Sequence, residues 1–333
     1  HTTLNENGGS LHVIASLSHI STQNVVVNIG NSGLAAHGVD YNLASSLTIL
    51  AGTERDSIVL TAINDTIYEG DETASVSIVS LSHGSENGLQ TENFTLIEDE
   101  GVPSLTLSTF SSAISENGGS THVVATLSHA TAVPVDVVLS FTGSASTGSD
   151  YTLSNTLQIP ALAERDSLLL TAIDDALNEG NETIIMDVTS VSGASESVSQ
   201  QETVTIFDDD GAPNIRIDDL SINEAASNMT FTVSLNTVSG LDVDFNYHTT
   251  DVTALAGLDY TAKSSSVTFV AGGALTQTIS INLLPDMIYE GREDFRVDLV
   301  SPIGAVLGNS IGLVNIIDDE ATPEISIADI VVD

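Results

Sequence analysis

The chain has 333 residues, and its 46 Asp and Glu against 6 Lys and Arg leave a net charge of −40. That charge repels phosphate and excludes nucleic acid and anionic membrane surfaces as partners, while the absence of Cys excludes disulfides, thiol catalysis and thiolate metal sites. At 41% hydrophobic residues the chain is too apolar for a disordered acidic tail, and no apolar run approaches the roughly 20 residues that insertion into a membrane requires.

Apolar residues alternate from the start: Leu11, Val13, Ala15, Leu17, then Val25, Val27, Ile29, then Leu47, Ile49. Ile58, Leu60, Ala62, then Val76, Ile78, and finally Phe94, Leu96 continue the period of two, which predicts strands with one buried face. The acidic cluster Glu98-Asp99-Glu100 then leads through Gly101-Val102 to Pro103, and the sequence starts again. Asn5-Glu6-Asn7-Gly8-Gly9-Ser10 returns as Ser115-Glu116-Asn117-Gly118-Gly119-Ser120, and Glu54-Arg55-Asp56-Ser57 returns as Glu164-Arg165-Asp166-Ser167. A third, more divergent copy follows, with alternation at Phe231, Val233, Leu235; Leu241, Val243, Phe245; Val267, Phe269; Ile279, Ile281, Leu283; Phe295, Val297, Leu299; and Val314, Ile316. Three landmarks hold register through all copies. Asp40-Tyr41, Asp150-Tyr151 and Asp259-Tyr260 are one; Glu69-Gly70, Glu179-Gly180 and Glu290-Gly291 are the second. The closing clusters Glu98-Asp99-Glu100, Asp208-Asp209-Asp210 and Asp318-Asp319-Glu320 are the third.

About seven short strands in each copy of about 110 residues predict an immunoglobulin-like sandwich. The expected fold is all-β, with three tandem seven-stranded Greek-key sandwiches arranged end to end over 1–101, 102–211 and 212–321. Residues 322–333 are expected to be the first strand of a further repeat or a donor strand. Each acidic cluster is followed by a Pro, which fixes its own φ and biases its predecessor to extended backbone, so the joints are expected to be short and the clusters to lie at them.

The acidic landmarks fall in loops and at strand ends, and a Greek-key sandwich gathers its loops at two poles. Copy two has the fullest set: Glu116, Asp150, Asp174, Asp175, Glu179, Glu182, Asp208, Asp209 and Asp210. So many carboxylates at one pole repel unless a multivalent cation neutralises them, and six to eight flexible oxygen ligands favour Ca²⁺ over Mg²⁺. Gly70, Gly180 and Gly291 would permit the sharp turn that presents neighbouring carboxylates to one ion. A solvated acidic surface is the plainer reading of the charge, and repetition at matched loop positions favours calcium over it.

Gly257-Leu258-Asp259-Tyr260, Leu284-Pro285-Asp286 with Glu290-Gly291-Arg292-Glu293, and Ile317-Asp318-Asp319-Glu320 resemble the Calx-beta domain in order and spacing. The resemblance extends over nearly the whole chain, in three copies. It implies seven-stranded sandwiches binding several Ca²⁺ at one pole, as in sodium/calcium exchangers and in extracellular adhesion and matrix proteins. It also implies ligands: the early Glu6, Glu116 or Glu224; the Asp before Tyr, Asp40, Asp150 or Asp259; and the central Asn64-Asp65, Asp174-Asp175 or Pro285-Asp286. The Glu pairs Glu69 and Glu72, Glu179 and Glu182, and Glu290 and Glu293 join them as ligand candidates, with the three joint clusters. Asn64 loses a charge and Pro285 a side-chain ligand, so copy two is expected to bind most tightly and copy three most loosely.

His12, His122, His19 and His129 recur in two copies without a third ligand in register and are expected to be strand or turn residues. Tyr41, Tyr151 and Tyr260 are expected to be core residues whose hydroxyls bond backbone. No nucleophile elbow, phosphate loop, zinc-binding helix or EF-hand loop is present, so a non-enzymatic module is expected. The first reading is an extracellular or cell-surface rod, adhesin, matrix protein or filament subunit stiffened by Ca²⁺; an intracellular calcium sensor and an accessory region of a secreted enzyme are the alternatives. Pro103-Ser104-Leu105-Thr106-Leu107 and Pro213-Asn214-Ile215-Arg216-Ile217 open copies two and three, and Pro323-Glu324-Ile325-Ser326-Ile327 matches them. Copy one lacks such a strand, so a longer tandem array or head-to-tail self-assembly by strand addition is expected.

Overall fold

The computed structural model describes residues 2–196 and 198–327, and contains three β-sandwiches in tandem. The first has β1 (Thr2–Asn5), β2 (Ser10–Ser16), β3 (Val25–Gly33), β4 (Tyr41–Asn42), β5 (Ser46–Ile49), β6 (Arg55–Ala62), β7 (Glu72–Leu81) and β8 (Thr91–Ile97). One sheet runs β1-β8-β7-β3-β5 and the other β2-β6-β4. The second sandwich has β9 (Ser104–Thr109), β10 (Ala113–Ser115), β11 (Ser120–Leu127), β12 (Val135–Gly143), β13 (Tyr151–Thr152), β14 (Thr156–Ile159), β15 (Arg165–Ala172), β16 (Glu182–Ser192), β17 (Ser195–Glu196) and β18 (Gln201–Phe207). Its sheets run β10-β18-β16-β12-β14 and β13-β15-β11-β9-β17. The third has β19 (Asn214–Ile217), β20 (Leu220–Asn223), β21 (Asn228–Leu235), β22 (Val243–Asp251), β23 (Ser264–Phe269), β24 (Thr276–Asn282), β25 (Glu293–Ile303), β26 (Val306–Leu307) and β27 (Ile311–Ile317). Its sheets run β20-β27-β25-β22-β23 and β24-β21-β19-β26.

Seven principal strands recur in copies two and three, but the first is broken in two. β9 pairs with β11 in one sheet, while β10 crosses over and pairs in parallel with β18 in the other. β19 and β20 divide in the same way between β21 and β27. Copy one keeps the second half of this strand, because β1 runs parallel to β8 with Leu4 opposite Leu96. Among the described residues, nothing takes the place of the first half.

The alternation places the cores as expected, since one face of each strand is removed from water. Phe231, Val233, Phe245, Phe269, Ile281, Phe295, Val297 and Val314 are buried in copy three. Leu241 departs from the pattern: it precedes β22, is 43% exposed, and lies toward Gly180 of the preceding sandwich. The three tyrosines are core residues, each 1% exposed. Their hydroxyls bond side chains rather than the expected backbone: Tyr260 donates to Asp251, and Tyr151 accepts from Thr147 at 2.7 Å. Asp251 ends β22 where Gly143 ends β12, and Gly143 has no side-chain oxygen to offer, so Tyr151 turns to its own loop.

Candidate metal centres

Each sandwich collects its acidic loops at one pole, and the same three local devices build it. The Asp before Tyr closes its own loop: Asp40 accepts from Ala36 N–H at 2.5 Å, Asp150 from Ser146 at 2.5 Å, and Asp259 from Leu255 at 2.6 Å. Asp65, Asp175 and Asp286 each accept from the amide two residues on, at 2.7 Å, which is an Asx turn. The Glu-Gly turn follows, with φ of +78°, +75° and +83° at Gly70, Gly180 and Gly291, a region that a Cβ disfavours.

The first acid of each joint cluster then ties this turn to the last strand. Glu98 accepts from Glu69 N–H at 2.6 Å and Gly70 N–H at 2.9 Å. Asp208 does so from Glu179 and Gly180 at 3.1 and 2.6 Å, and Asp318 from Glu290 and Gly291 at 2.7 and 2.5 Å. These amides outweigh burial at Glu98 and hold its carboxyl below the usual range; at Asp318 the Gly291 amide is the chief cause of the same lowering. The remaining carboxylates converge around this tie. Glu6, Glu98, Asp99 and Glu100 bring carboxylate oxygens within 4.8 Å of one another, and so do Asp40, Glu69 and Glu72. Copy two has Glu116, Asp208 and Asp210; Glu116, Asp175 and Glu179; and Asp150, Glu179 and Glu182, so Glu116 and Glu179 link neighbouring groups. In copy three Glu293 feels the charge of Asp259, Glu290 and Glu224, and Glu320 that of Asp318, Asp319 and Glu224.

These poles carry uncompensated charge. Among the described residues the ion pairs are those of Asp298 with Arg296 and His248, away from every pole. Two carboxylates within 4.8 Å repel by roughly 3 kcal/mol at an effective dielectric constant near 20. The chain answers by holding protons. Burial first, then the charge of Glu98, pushes Glu6 up to about 8; burial and neighbouring acids push Glu69, Glu116, Glu182 and Glu293 up to about 7. Glu72, Glu100, Glu179, Glu224, Glu290 and Glu320 are raised as well, burial being the largest cause except at Glu100, where the bond to Glu98 leads. Glu72, Glu100 and Glu320 each have a buried carboxylate oxygen with no hydrogen-bond partner. A hard divalent cation fits this donor set, since it satisfies orphaned oxygens and cancels the repulsion together.

Asp174, Asp209 and Asp319 sit at the exposed rim; Asp209 accepts from Asn117 at 3.3 Å. Asp286 meets the pole through its backbone, donating to Glu224 at 3.4 Å. Two residues of the site lay outside the sequence reading. Asn178 donates to Asp208 and to the Asp210 carbonyl at 3.2 and 2.8 Å, and Asp71 accepts from Glu98 N–H at 3.1 Å. Both flank the Glu-Gly landmark, which was the available signal.

The poles also meet the next sandwich. Tyr68 N–H donates to Ala130 O, and Ala132 N–H donates to Tyr68 O, each at 3.0 Å. Asn178 pairs with Ser239 in the same manner, with Gly240 N–H donating to the Asn178 carbonyl at 3.1 Å. A Cβ at Gly240 would lie 2.3 Å from Glu179 Cγ, so any side chain there would push the Glu179 carboxylate out of its place. His129 joins in as a hinge contact, with Nε2 2.8 Å from the Gly101 carbonyl.

The fold and its poles define a class: tandem β-sandwich repeats, each with an acidic, oxygen-lined pole, the first two set against the next sandwich. The Calx-beta domain family matches residues 1–101, 98–210 and 214–320, and the chain belongs to that family. Among solved structures, the apo-form Calx CBD1 domain is similar at 24% identity, covering 33% of this chain and 100% of that one, with a TM-score of 0.32. The CBD12 structure from CALX1.2 aligns at 19% identity over 64% of this chain and 99% of that one, TM-score 0.31. The Calx CBD2 domain aligns at 16% identity over 32% and 86%, TM-score 0.30. No curated protein matches the chain.

Proposed function

We propose that the three poles bind Ca²⁺ and that the bound ions stiffen the joints of an extracellular rod, adhesin, matrix protein or filament subunit. The observation that carries the reading is the convergence of carboxylates without an ion pair at the same pole of the repeats, with orphaned oxygens at Glu72, Glu100 and Glu320. In copy one, Asp40, Glu69 and Glu72 form one ligand group, and Glu6, Asp65, Glu98, Asp99 and Glu100 the adjoining one. In copy two the groups are Asp150, Glu179 and Glu182, then Glu116, Asp174, Asp175, Asp208, Asp209 and Asp210. In copy three they are Asp259, Glu290 and Glu293, then Glu224, Asp286, Asp318, Asp319 and Glu320. Bound Ca²⁺ supplies the positive charge that the poles lack, and the residues supply oxygens held by the turns. Copy three, with Pro285 in place of an acid and Glu290 exposed, binds most loosely.

The placement of the first two poles against the next sandwich supports a rod. Neutralising the Glu-Gly turn also steadies the Tyr68 and Asn178 segments that pair across the joints. No catalytic role is assigned. Calcium titration by calorimetry, with melting in Ca²⁺ and in chelator, tests the reading. Weak extracellular modules bind in the range of about 10⁻⁴ to 10⁻³ M, and a ligand bound only by the folded state raises the melting temperature. No response to calcium would overturn the proposal, and submicromolar affinity would replace the rod with a sensor.

A further inference from the structure

Five buried side-chain oxygens among the described residues have no hydrogen-bond partner, and the poles account for three of them, at Glu72, Glu100 and Glu320. The other two are Asp294 Oδ1 and Asn315 Oδ1, and they belong to neighbouring strands of copy three. Asp294 on β25 pairs with Asn315 on β27, and Asn315 pairs in turn with Ser221 on β20. Phe295, Val314 and Ile316, next to them in sequence, are buried in the core. The alternation therefore sets Asp294, Asn315 and Ser221 in one row on the outer face of the sheet, where opposed residues have Cβ atoms about 5 Å apart.

The backbone holds this row firmly. Asp294 N–H donates to Thr253 Oγ1 at 2.7 Å, and its carbonyl accepts from Thr253 and Ala254 N–H at 2.8 and 2.9 Å. Asn315 is 7% exposed and lies on a strand paired on both sides. Among the described residues no cation balances the carboxylate. Arg296, two residues along the same face, is bonded through Nε to Asp298 at 3.1 Å, and Arg292, two residues before, makes no ion pair. Two acceptors set side by side lose hydration and gain nothing from each other. The matched rows of the other copies avoid the difficulty. Thr3, Thr95 and Thr73 stand there in copy one, and Ala113, Thr205 and Thr183 in copy two, with no charge among them. Thr73 is exposed and Thr183 and Thr205 half-buried although a sandwich follows each, so this part of the sheet stays open beside a neighbour.

We infer that Asp294 and Asn315 form a second kind of cation site, on the sheet face of copy three rather than at its pole, where Ca²⁺ is held by Asp294 Oδ1 and Asn315 Oδ1. The Ser221 hydroxyl stands beside them, and water completes the shell. A carboxylate and an amide carbonyl are the oxygen donors a hard cation takes. The ion gives both orphaned oxygens a partner and cancels the carboxylate's charge; a bridging water gives the partner and leaves the charge. One carboxylate supplies less charge than the several acids of a pole, so the site binds in the range of about 10⁻³ M or weaker. Copies one and two, with Thr in these positions, have no such site.

The Asn315 side-chain amide reports on the site directly. In the full chain labelled with ¹⁵N-asparagine, its resonance, identified by its loss in Asn315→Asp, should shift on calcium titration. Asn178, bonded to Asp208 at 3.2 Å, reports the copy-two pole in the same spectrum. Asp294→Asn should abolish the Asn315 shift and leave the Asn178 response as it was. A shift that survives Asp294→Asn is passed on from the pole and overturns the inference. So does an Asn315 resonance indifferent to calcium, which means that water satisfies the pair. Asn315→Asp sets two carboxylates face to face; it should melt lower in chelator and gain more from calcium than the parent chain does. If the amide is instead reversed, with Nδ2 donating to Asp294, calcium restores Asn315→Asp no more than it stabilises the parent, and the inference fails. Asp294→Thr/Asn315→Thr installs the pair of copies one and two, so it should fold and keep the Asn178 response. A shifting Asn315 beside a silent Asn178 would sink the reading of the copy-two pole alone, and the reverse would sink only this site.

Discussion

Glu116 shows what a single residue must endure at these poles. Its carboxyl is 7% exposed, shares oxygen contacts with Asp175, Glu179, Asp208 and Asp210, and has no cation within reach. Replacing it with Gln removes a charge that is costly without an ion and useful with one. Glu116→Gln is therefore expected to raise the melting temperature in chelator and to weaken calcium binding at copy two by about tenfold, a loss of about 1.4 kcal/mol, as read by paired melts and calorimetry. The raised carboxyls carry a pH prediction as well. Glu6 titrates near 8 and Glu69, Glu116, Glu182 and Glu293 near 7, against 4.5 for an ordinary Glu. The folded chain thus binds more protons than the unfolded one between those values. The stability from these groups is complete below the ordinary value and is lost as the pH rises through 7 to 8. In chelator the chain should melt higher at pH 5.5 than at pH 8.5, calcium should stabilise it more at the higher pH, and calcium binding should release protons, measurable in buffers of different ionisation enthalpy.

At the scale of the elements, the acid that opens each joint cluster serves the fold before it serves an ion. Asp208 connects the Glu179-Gly180 turn to the end of β18 through two backbone amides and holds Asp210 N–H at 2.9 Å. Asp208→Ala should lower stability by about 1–3 kcal/mol, the cost of leaving donors unpaired, in chelator as well as in calcium. Asp209→Ala, at the exposed rim, should have little effect in chelator. Denaturant unfolding of both variants separates a tie from a ligand. The turns and strands were legible in the sequence because they are local: Asp-Tyr, Glu-Gly and the period of two each act within a few residues. The tie was not, because Glu69 and Glu98 meet across 29 residues of chain, and no local pattern states which acid turns toward amides. The tyrosine hydroxyls failed the sequence reading for the same reason: their partners Asp251 and Thr147 are set by which strand or loop lies alongside.

For the whole molecule, the joints decide behaviour. Tyr68 pairs with Ala130 to Ala132, and Asn178 with Ser239 to Gly240, each beside an acidic turn whose charge is unbalanced. Small-angle scattering should show a narrower spread of maximum dimension in Ca²⁺ than in chelator. Gly240→Val, whose added side chain must displace the Glu179 carboxylate, should widen that spread even in Ca²⁺ while leaving the individual sandwiches folded.

The sequence by itself determined the three repeats, the all-β class, the alternating cores and the positions of the acids, because each is written in local spacing and in the recurrence of landmarks. Only the tertiary structure decided which carboxylates share a pole, which are spent on backbone amides, and that the first strand divides between two sheets. These depend on pairing between residues far apart in the chain, and the free energy of such pairing resides in long-range packing that no short stretch of sequence contains.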